Sequence, residues 1–214
     1  MKLKGIIFDL DGVIVKTDNL HYIAWKKVAD IEGIYFDREI NERLRGVSRM
    51  ESLEIILEKS KKSYTEDEKE NIANLKNNIY KQLIEELSFE DILPGVNDFL
   101  RYIKHLNIKT AIGSLSKNTI AILNALGYNN FFDAVADGTM IKKSKPDPEV
   151  FLLAAQKLNL SPHECAVIED AEAGIKAAKN GGFYAVATGQ AVKKSKADLY
   201  INDLSDKKIY ELFI

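Results

Sequence analysis

From Leu93-Pro94-Gly95 onward the chain alternates between short apolar runs and helix-patterned segments, and this alternation limits the fold more than any other feature. Residues 108–113, 132–136, 164–168, 184–187 and 199–201 read as strands. Residues 96–106, 118–126, 148–158 and 173–180 read as helices. Pro148 suits a first helical position, where its missing N–H costs nothing, and Gly181-Gly182 suits a helix end. Continuous apolar strands joined by helices build a mainly parallel sheet covered on both faces. One more apolar run, residues 3–8, stands at the N-terminus and ends at Asp9. The expected fold class is α/β, with a Rossmann-like parallel sheet.

Between that first strand and Leu93 the pattern is helical and nearly free of strand signals. Asp18 is expected to cap a helix through His21, Ala24, Trp25, Val28 and Ala29. A second helix is expected over residues 39–44, ended by Gly46. Ser48 suits the cap of a third, carrying Leu53, Ile56 and Leu57. Thr65 with Glu68 is a capping-box signature for a fourth, over residues 66–87. The economical architecture is a discontinuous core, residues 1–15 and 92–214, interrupted by a helical cap over residues 16–91.

Charge and cysteine content narrow the function. The formal net charge is −2, and the 30 basic residues are interleaved with 32 acidic ones. Nucleic-acid binding needs a concentrated basic surface to displace phosphate counterions, so no nucleic-acid partner is expected. The single cysteine, Cys165, precludes an intrachain disulfide, and its apolar neighbours mark it as a small buried hydrophobe. No stretch approaches membrane-span length, and the N-terminal apolar run is too short for a signal peptide. A cytoplasmic monomer is expected, there being no coiled-coil repeat or oversized apolar face.

Ligands of open parallel sheets sit at the carboxyl ends of the strands. Asp9 and Asp11 follow the first strand, Ser114, Ser116, Lys117 and Asn118 the second, and Glu169 and Asp170 the fourth, while Lys145 precedes a helix. Carboxylates so crowded need a cation or protons to offset their repulsion. Mg²⁺ suits them, because it binds through few carboxylates and bridges phosphate. Phosphoryl transfer needs positioning and charge neutralisation, which this set offers. One Asp can act as nucleophile, and a second two residues on as general acid and base.

FDLDGV (residues 8–13), Ser114, KPDPEVF (145–151) and IEDAEAGIKAA (168–178) resemble, in order and spacing, the four motifs of the haloacid dehalogenase superfamily. The resemblance implies that Asp9 is phosphorylated and that Asp11 is the acid/base. It implies Mg²⁺ on the Asp9 side chain, the Asp11 backbone carbonyl and Asp170, with Glu169 in or beside the shell. Ser114 and Lys145 would hold phosphoryl oxygens. The insertion looks like the C1-type cap of the family. Segments 17–29, 41–53, 75–80 and 114–118 are most similar to the β-phosphoglucomutase branch. That branch implies conversion of β-D-glucose 1-phosphate to glucose 6-phosphate through β-glucose 1,6-bisphosphate. Arg49, Ser116, Lys117 and Asn118 would grip the phosphate that is not transferred. Thr17, His21, Trp25, Leu44, Gly46, Val47, Ser52 and Lys76 would line the sugar side.

Plainer readings stand beside these. His21 and Trp25 could be cap packing, Arg49 and Lys76 surface charges, Ser116-Lys117-Asn118 a helix cap, and Gly46 a terminator. The chain also departs from the branch pattern with Lys16 where an acid is common, Arg45 where Lys is common and Leu115 where a small residue is common. Two other functions remain open: a Mg²⁺-dependent sugar-phosphate phosphatase on the same scaffold, and a non-catalytic binding module.

Overall fold

A computed structural model describes residues 3–189 and 196–213. Six strands form one parallel sheet: β1 (Gly5–Phe8), β2 (Lys109–Gly113), β3 (Ala134–Ala136), β4 (Cys165–Glu169), β5 (Tyr184–Ala187) and β6 (Leu199–Tyr200). Their order is β3-β2-β1-β4-β5-β6, so the N-terminal strand lies at the centre. Alternation of side chains along each strand divides the core between two faces. Ile6, Phe8, Ile112 and Ile168 pack to one side with α5 (Val96–His105). Ile7, Ala111, Cys165 and Val167 pack to the other with α7 (Glu149–Lys157) and α8 (Glu172–Asn180). Every residue of β1 and β4 is buried, as befits strands covered on both faces.

After β1 the chain leaves the sheet for α1 (Asp18–Glu32), α2 (Arg38–Glu42), α3 (Arg49–Leu57) and α4 (Glu66–Ile84). These helices enclose their own apolar cluster around Trp25, Val28, Phe36, Leu53, Ile56 and Ile72. Ser48 and Thr65 cap their helices as expected, each side chain accepting from the backbone N–H of the third helical residue, and the capping box expected at Thr65 forms at Ser48 too, with Glu51. The two connections to the sheet run side by side: Leu93 N donates to Ile14 O at 3.0 Å and Lys16 N to Asp91 O at 3.2 Å. The remaining helices are α6 (Thr119–Ala125) and α9 (Lys207–Glu211). No helix among the described residues is long and apolar enough to cross a membrane.

Local differences from the sequence expectations have local causes. Asp18 is the first helical residue of α1 rather than its cap; Thr17 takes that position, but its hydroxyl is committed to Asp11. Asp37 caps α2 by accepting from Ile40 N, so this helix starts at Arg38. Pro148 sits one residue ahead of α7, at the cap position. β3 begins at Ala134, because Phe132 turns into an aromatic cluster with Phe8, Tyr128 and Phe131, while Asp133 accepts from Thr110 N at 2.7 Å. β4 is shifted by one residue, since the Glu164 carboxylate bonds Ser161 N and Glu169 completes the strand.

Candidate active site

In-register pairing sets the site. Phe8 lies level with Ile112 on β2 and Ile168 on β4, so Asp9 emerges beside Gly113 and Glu169. Asp9 N still donates to Ile168 O at 2.9 Å, and Ser114 N to Ala136 O at 3.1 Å, which extends the ladder to the residues that carry the chemistry. Gly12 (φ +82°) turns the chain there, and a methyl group on it would overlap the Asp170 carboxylate.

Lys145 reaches this rim from the loop before α7. Its Nζ donates to Asp9 Oδ1 at 2.7 Å and Glu169 Oε1 at 2.6 Å, and all three groups are buried. The other Glu169 oxygen accepts from Ala171 N at 2.6 Å. Burial pulls the ammonium pKa of Lys145 down, but Asp9 and Glu169 more than offset this and hold it charged. Burial also pushes Asp9 well above the usual carboxylate range; Lys145 opposes the shift, while Glu169, Asp11 and Asp170 add to it. Asp170 is raised to about 7, first by burial and then by Glu169, against the pull of Arg45.

One carboxylate oxygen from each of Asp9, Glu169 and Asp170 lies within 4.8 Å of the other two. An all-oxygen set with two carboxyls pushed upward suits a hard divalent ion such as Mg²⁺. The sign of the pH dependence follows. Because Asp170 has a folded pKa of about 7 against 3.8 unfolded, the folded state binds the extra proton between those values. Its contribution therefore turns increasingly against folding as pH rises through that window, and reaches its full extent above about 7. A divalent ion offsets the same charge. The gain in melting temperature from Mg²⁺ over EDTA is thus expected to be larger at about pH 7.5 than at about pH 5. Equal gains in thermal melts at both pH values would rule out Asp170 as a holder of the ion.

Above the carboxylates lies a cleft of about 650 Å³ between sheet and cap. His21, Trp25, Leu44, Gly46, Val47, Arg49, Ser52 and Lys76 line it from the cap, and Ser114, Ser116, Lys117 and Asn118 from the core. Thr17 does not: it is fully buried, and its hydroxyl donates to Asp11 Oδ1 instead. Burial raises Asp11, and that hydrogen bond restrains the shift. Trp25 touches the cleft, but nearly all of it packs in the cap cluster. Gly46 is more than a helix terminator. It holds φ +72°, a conformation that strains any side chain, and a methyl group there would come 3.0 Å from Ala171 Cβ, so glycine suits this close approach of the cap loop to the core.

Cations gather on the cap wall. Lys76 is lowered to about 7, by burial first and Arg49 second. Its Nζ lies 2.9 Å from His21 Nδ1 and over the rings of Tyr80 and Trp25 at 4.4 and 5.2 Å. Burial, then Lys76 and Arg49, hold His21 well below its ordinary pKa, so the ring is neutral, with Nδ1 accepting. Arg49 opens α3 half-buried and carries no ion pair among the described residues; burial alone lowers its pKa. Asn118 sits at the cap position of α6 but donates to Asn77 Oδ1 at 2.9 Å, tying core to cap.

Tyr80, which lines the cleft, and Asn77, which bonds Asn118, were not singled out in the sequence, and Arg45, also in the lining, stood out there only as a departure from the branch pattern. Asn77 and Tyr80 follow Lys76 on α4, and their proximity in sequence was the available signal. Tyr80 stacks on His21 at 4.1 Å, and its buried hydroxyl lies beside that of Thr17, which itself donates to Asp11.

The haloacid dehalogenase-like hydrolase model matches residues 3–182. A β-phosphoglucomutase of Bacillus subtilis is 47% identical over 206 residues, covering 95% of this chain and 91% of that protein. A phosphorylated-carbohydrates phosphatase of Thermotoga maritima is 32% identical, covering 85% of this chain and 82% of its own length. The crystal structure of a β-phosphoglucomutase from Clostridium difficile superposes with a TM-score of 0.92 at 44% identity, covering 99% of this chain and 97% of that one. With the motif residues gathered on one rim and these likenesses spanning the fold, the chain belongs to the haloacid dehalogenase-like hydrolase family.

Proposed function

We propose that the protein is a phosphomutase that interconverts β-D-glucose 1-phosphate and glucose 6-phosphate through an aspartyl-phosphate on Asp9. The observation that carries this reading is the unpaired Arg49, facing the same cleft as Asp9, with Lys76 and Lys117 on the same walls. A hydrolase needs only the reacting phosphate bound. A mutase must also hold the far phosphate of a bisphosphate, and a guanidinium free of any counter-charge suits that end. The β-phosphoglucomutase relatives support the same reading.

In this scheme an Asp9 oxygen attacks one phosphate of β-glucose 1,6-bisphosphate, forming the Asp9–phosphorus bond as the bond to the sugar oxygen breaks. Asp11 gives its proton to the departing oxygen. When the 1-phosphate is taken, glucose 6-phosphate leaves; the 6-hydroxyl of an incoming β-D-glucose 1-phosphate then attacks the aspartyl-phosphate, Asp11 takes its proton, the Asp9–phosphorus bond breaks and the bisphosphate is regenerated. Lys145 and Ser114 hold the phosphoryl oxygens. Mg²⁺, held by Asp9, Asp170, Glu169 and the Asp11 carbonyl, would neutralise phosphoryl charge when bound. Neutral His21, held between Lys76 and the Tyr80 ring, lies 3.9 Å from Asp11 Oδ1 and orients the acid/base. Residues 16–91 serve as the cap that closes over the sugar, and 1–15 with 92–214 as the core.

The test follows glucose 6-phosphate and free phosphate together, from β-D-glucose 1-phosphate with Mg²⁺ and a trace of bisphosphate. Bisphosphate-dependent isomerisation with little free phosphate supports the mutase. Phosphate release without isomerisation moves the protein to the sugar-phosphate phosphatases. Arg49→Met is expected to raise the bisphosphate concentration for half-maximal turnover by roughly ten- to a hundredfold, the loss of charged hydrogen bonds to one phosphate. An unchanged requirement would remove Arg49 from the distal site.

A further inference from the structure

Arg45, in the loop between α2 and α3, carries the cap onto the acidic cluster. Its Nη2 donates to Asp170 Oδ2 at 2.5 Å. Its Nη1 lies 3.2 Å from Asp18 Oδ2 and 3.6 Å from Glu42 Oε2. Asp18 and Glu42 belong to the cap helices, whereas Asp170 follows β4. One planar guanidinium thus joins two cap carboxylates to one core carboxylate. The adjoining Gly46 marks how close the two surfaces come, and Asp170 is also a member of the oxygen cluster with Asp9 and Glu169.

We propose that Arg45 is a positioning residue that holds Asp170 when the cap is closed and competes with the divalent cation for that carboxylate, so that cation binding and closure of the substrate-free cap oppose each other. This rests on reading Asp9, Glu169 and Asp170 as the cation site. Two positive groups on one carboxylate repel, and the more strongly where water is excluded. Linkage makes the effect reciprocal: the Arg45 contact weakens cation binding by the factor by which the cation weakens the contact. Asp18 and Glu42 give the guanidinium a resting place within the cap once it leaves Asp170. A lysine ammonium is a single point charge without the two-armed fork, and does not bridge Asp18 and Asp170 in this way.

The test is calorimetric titration of Mg²⁺ alone into the wild-type protein, Arg45→Gln and Arg45→Lys, with thermal melts in EDTA to establish that each is folded. Arg45→Gln is expected to bind Mg²⁺ about tenfold more tightly, the scale on which groups behind metal ligands shift affinity. Arg45→Lys should fall between the two. Small-angle scattering adds a second readout: Mg²⁺ should expand the wild-type protein, while Arg45→Gln should already be expanded without it. Unchanged or weaker Mg²⁺ binding by Arg45→Gln, or equal expansion of both proteins by Mg²⁺, overturns the inference. A wild-type protein that takes up no Mg²⁺ overturns the cation-site reading, and this inference with it.

Discussion

Asp9→Asn is expected to lower turnover by at least about 10⁴-fold, as befits removal of a nucleophile from a cooperating set. The amide cannot form the acyl-phosphate, and no other carboxylate on the rim stands in the same relation to Lys145. Glu169 shares that lysine but ends its own strand with its second oxygen tied to Ala171 N. The fold should survive, because the substitution removes one of three crowded buried carboxylates. Melting in EDTA is therefore expected not to fall. Intact-mass measurement after exposure to bisphosphate should show a phosphoryl adduct on the wild-type protein and none on the variant. Retained turnover would sink the covalent scheme, whatever the substrate.

Lys145→Met is expected to destabilise the protein as well as silence it. The lysine is only 3% exposed and bonds both Asp9 and Glu169. Removing one side of a buried ion pair leaves the other charge uncompensated, at a cost of about 3–5 kcal/mol. Urea denaturation in EDTA should show the full loss as an earlier midpoint. Mg²⁺ should restore part of it, because the cation addresses the same carboxylates. Turnover should stay low even with Mg²⁺, since the phosphoryl oxygens have lost their lysine. A midpoint in EDTA equal to that of the wild-type protein would show that the carboxylates do not depend on Lys145 for their charge balance.

Much of the architecture was readable because two periodicities change at Asp18 and Leu93. Apolar runs at strand length and helical stripes identify the layers, and strand ends identify the rim. Polar residues at element ends were harder to assign. Thr17 looked like a sugar contact and Asp18 like a cap, but a hydroxyl near two acids can satisfy either, and packing turned it to Asp11. Asn118 looked like a helix cap or phosphate ligand; it takes the cap position of α6 and lines the cleft, and its side-chain amide reaches across to Asn77. Such contacts join residues 41 positions apart, beyond the range of any local pattern. Arg45 was visible as a departure from the branch pattern, but its meeting with Asp170 depends on how the cap rests on the core. The aromatic bend that shortens β3 likewise draws on Phe8, which lies in another element.

The position of β1 has a consequence for how the chain is made. Gly5 pairs with Lys109 on one side and Cys165 on the other, so the central strand acquires its neighbours only from far along the chain. Contacts so distant in sequence delay closure of the sheet, while the helices of the insertion find partners nearby. On the ribosome, the insertion can therefore gain structure while the apolar segment ahead of it still waits. Until β2 emerges, residues 5–8 remain a hydrophobic segment without a sheet, and until β4 follows one of their edges stays unpaired and open to misassociation. The central strand of the sheet is thus made long before both of its neighbours exist.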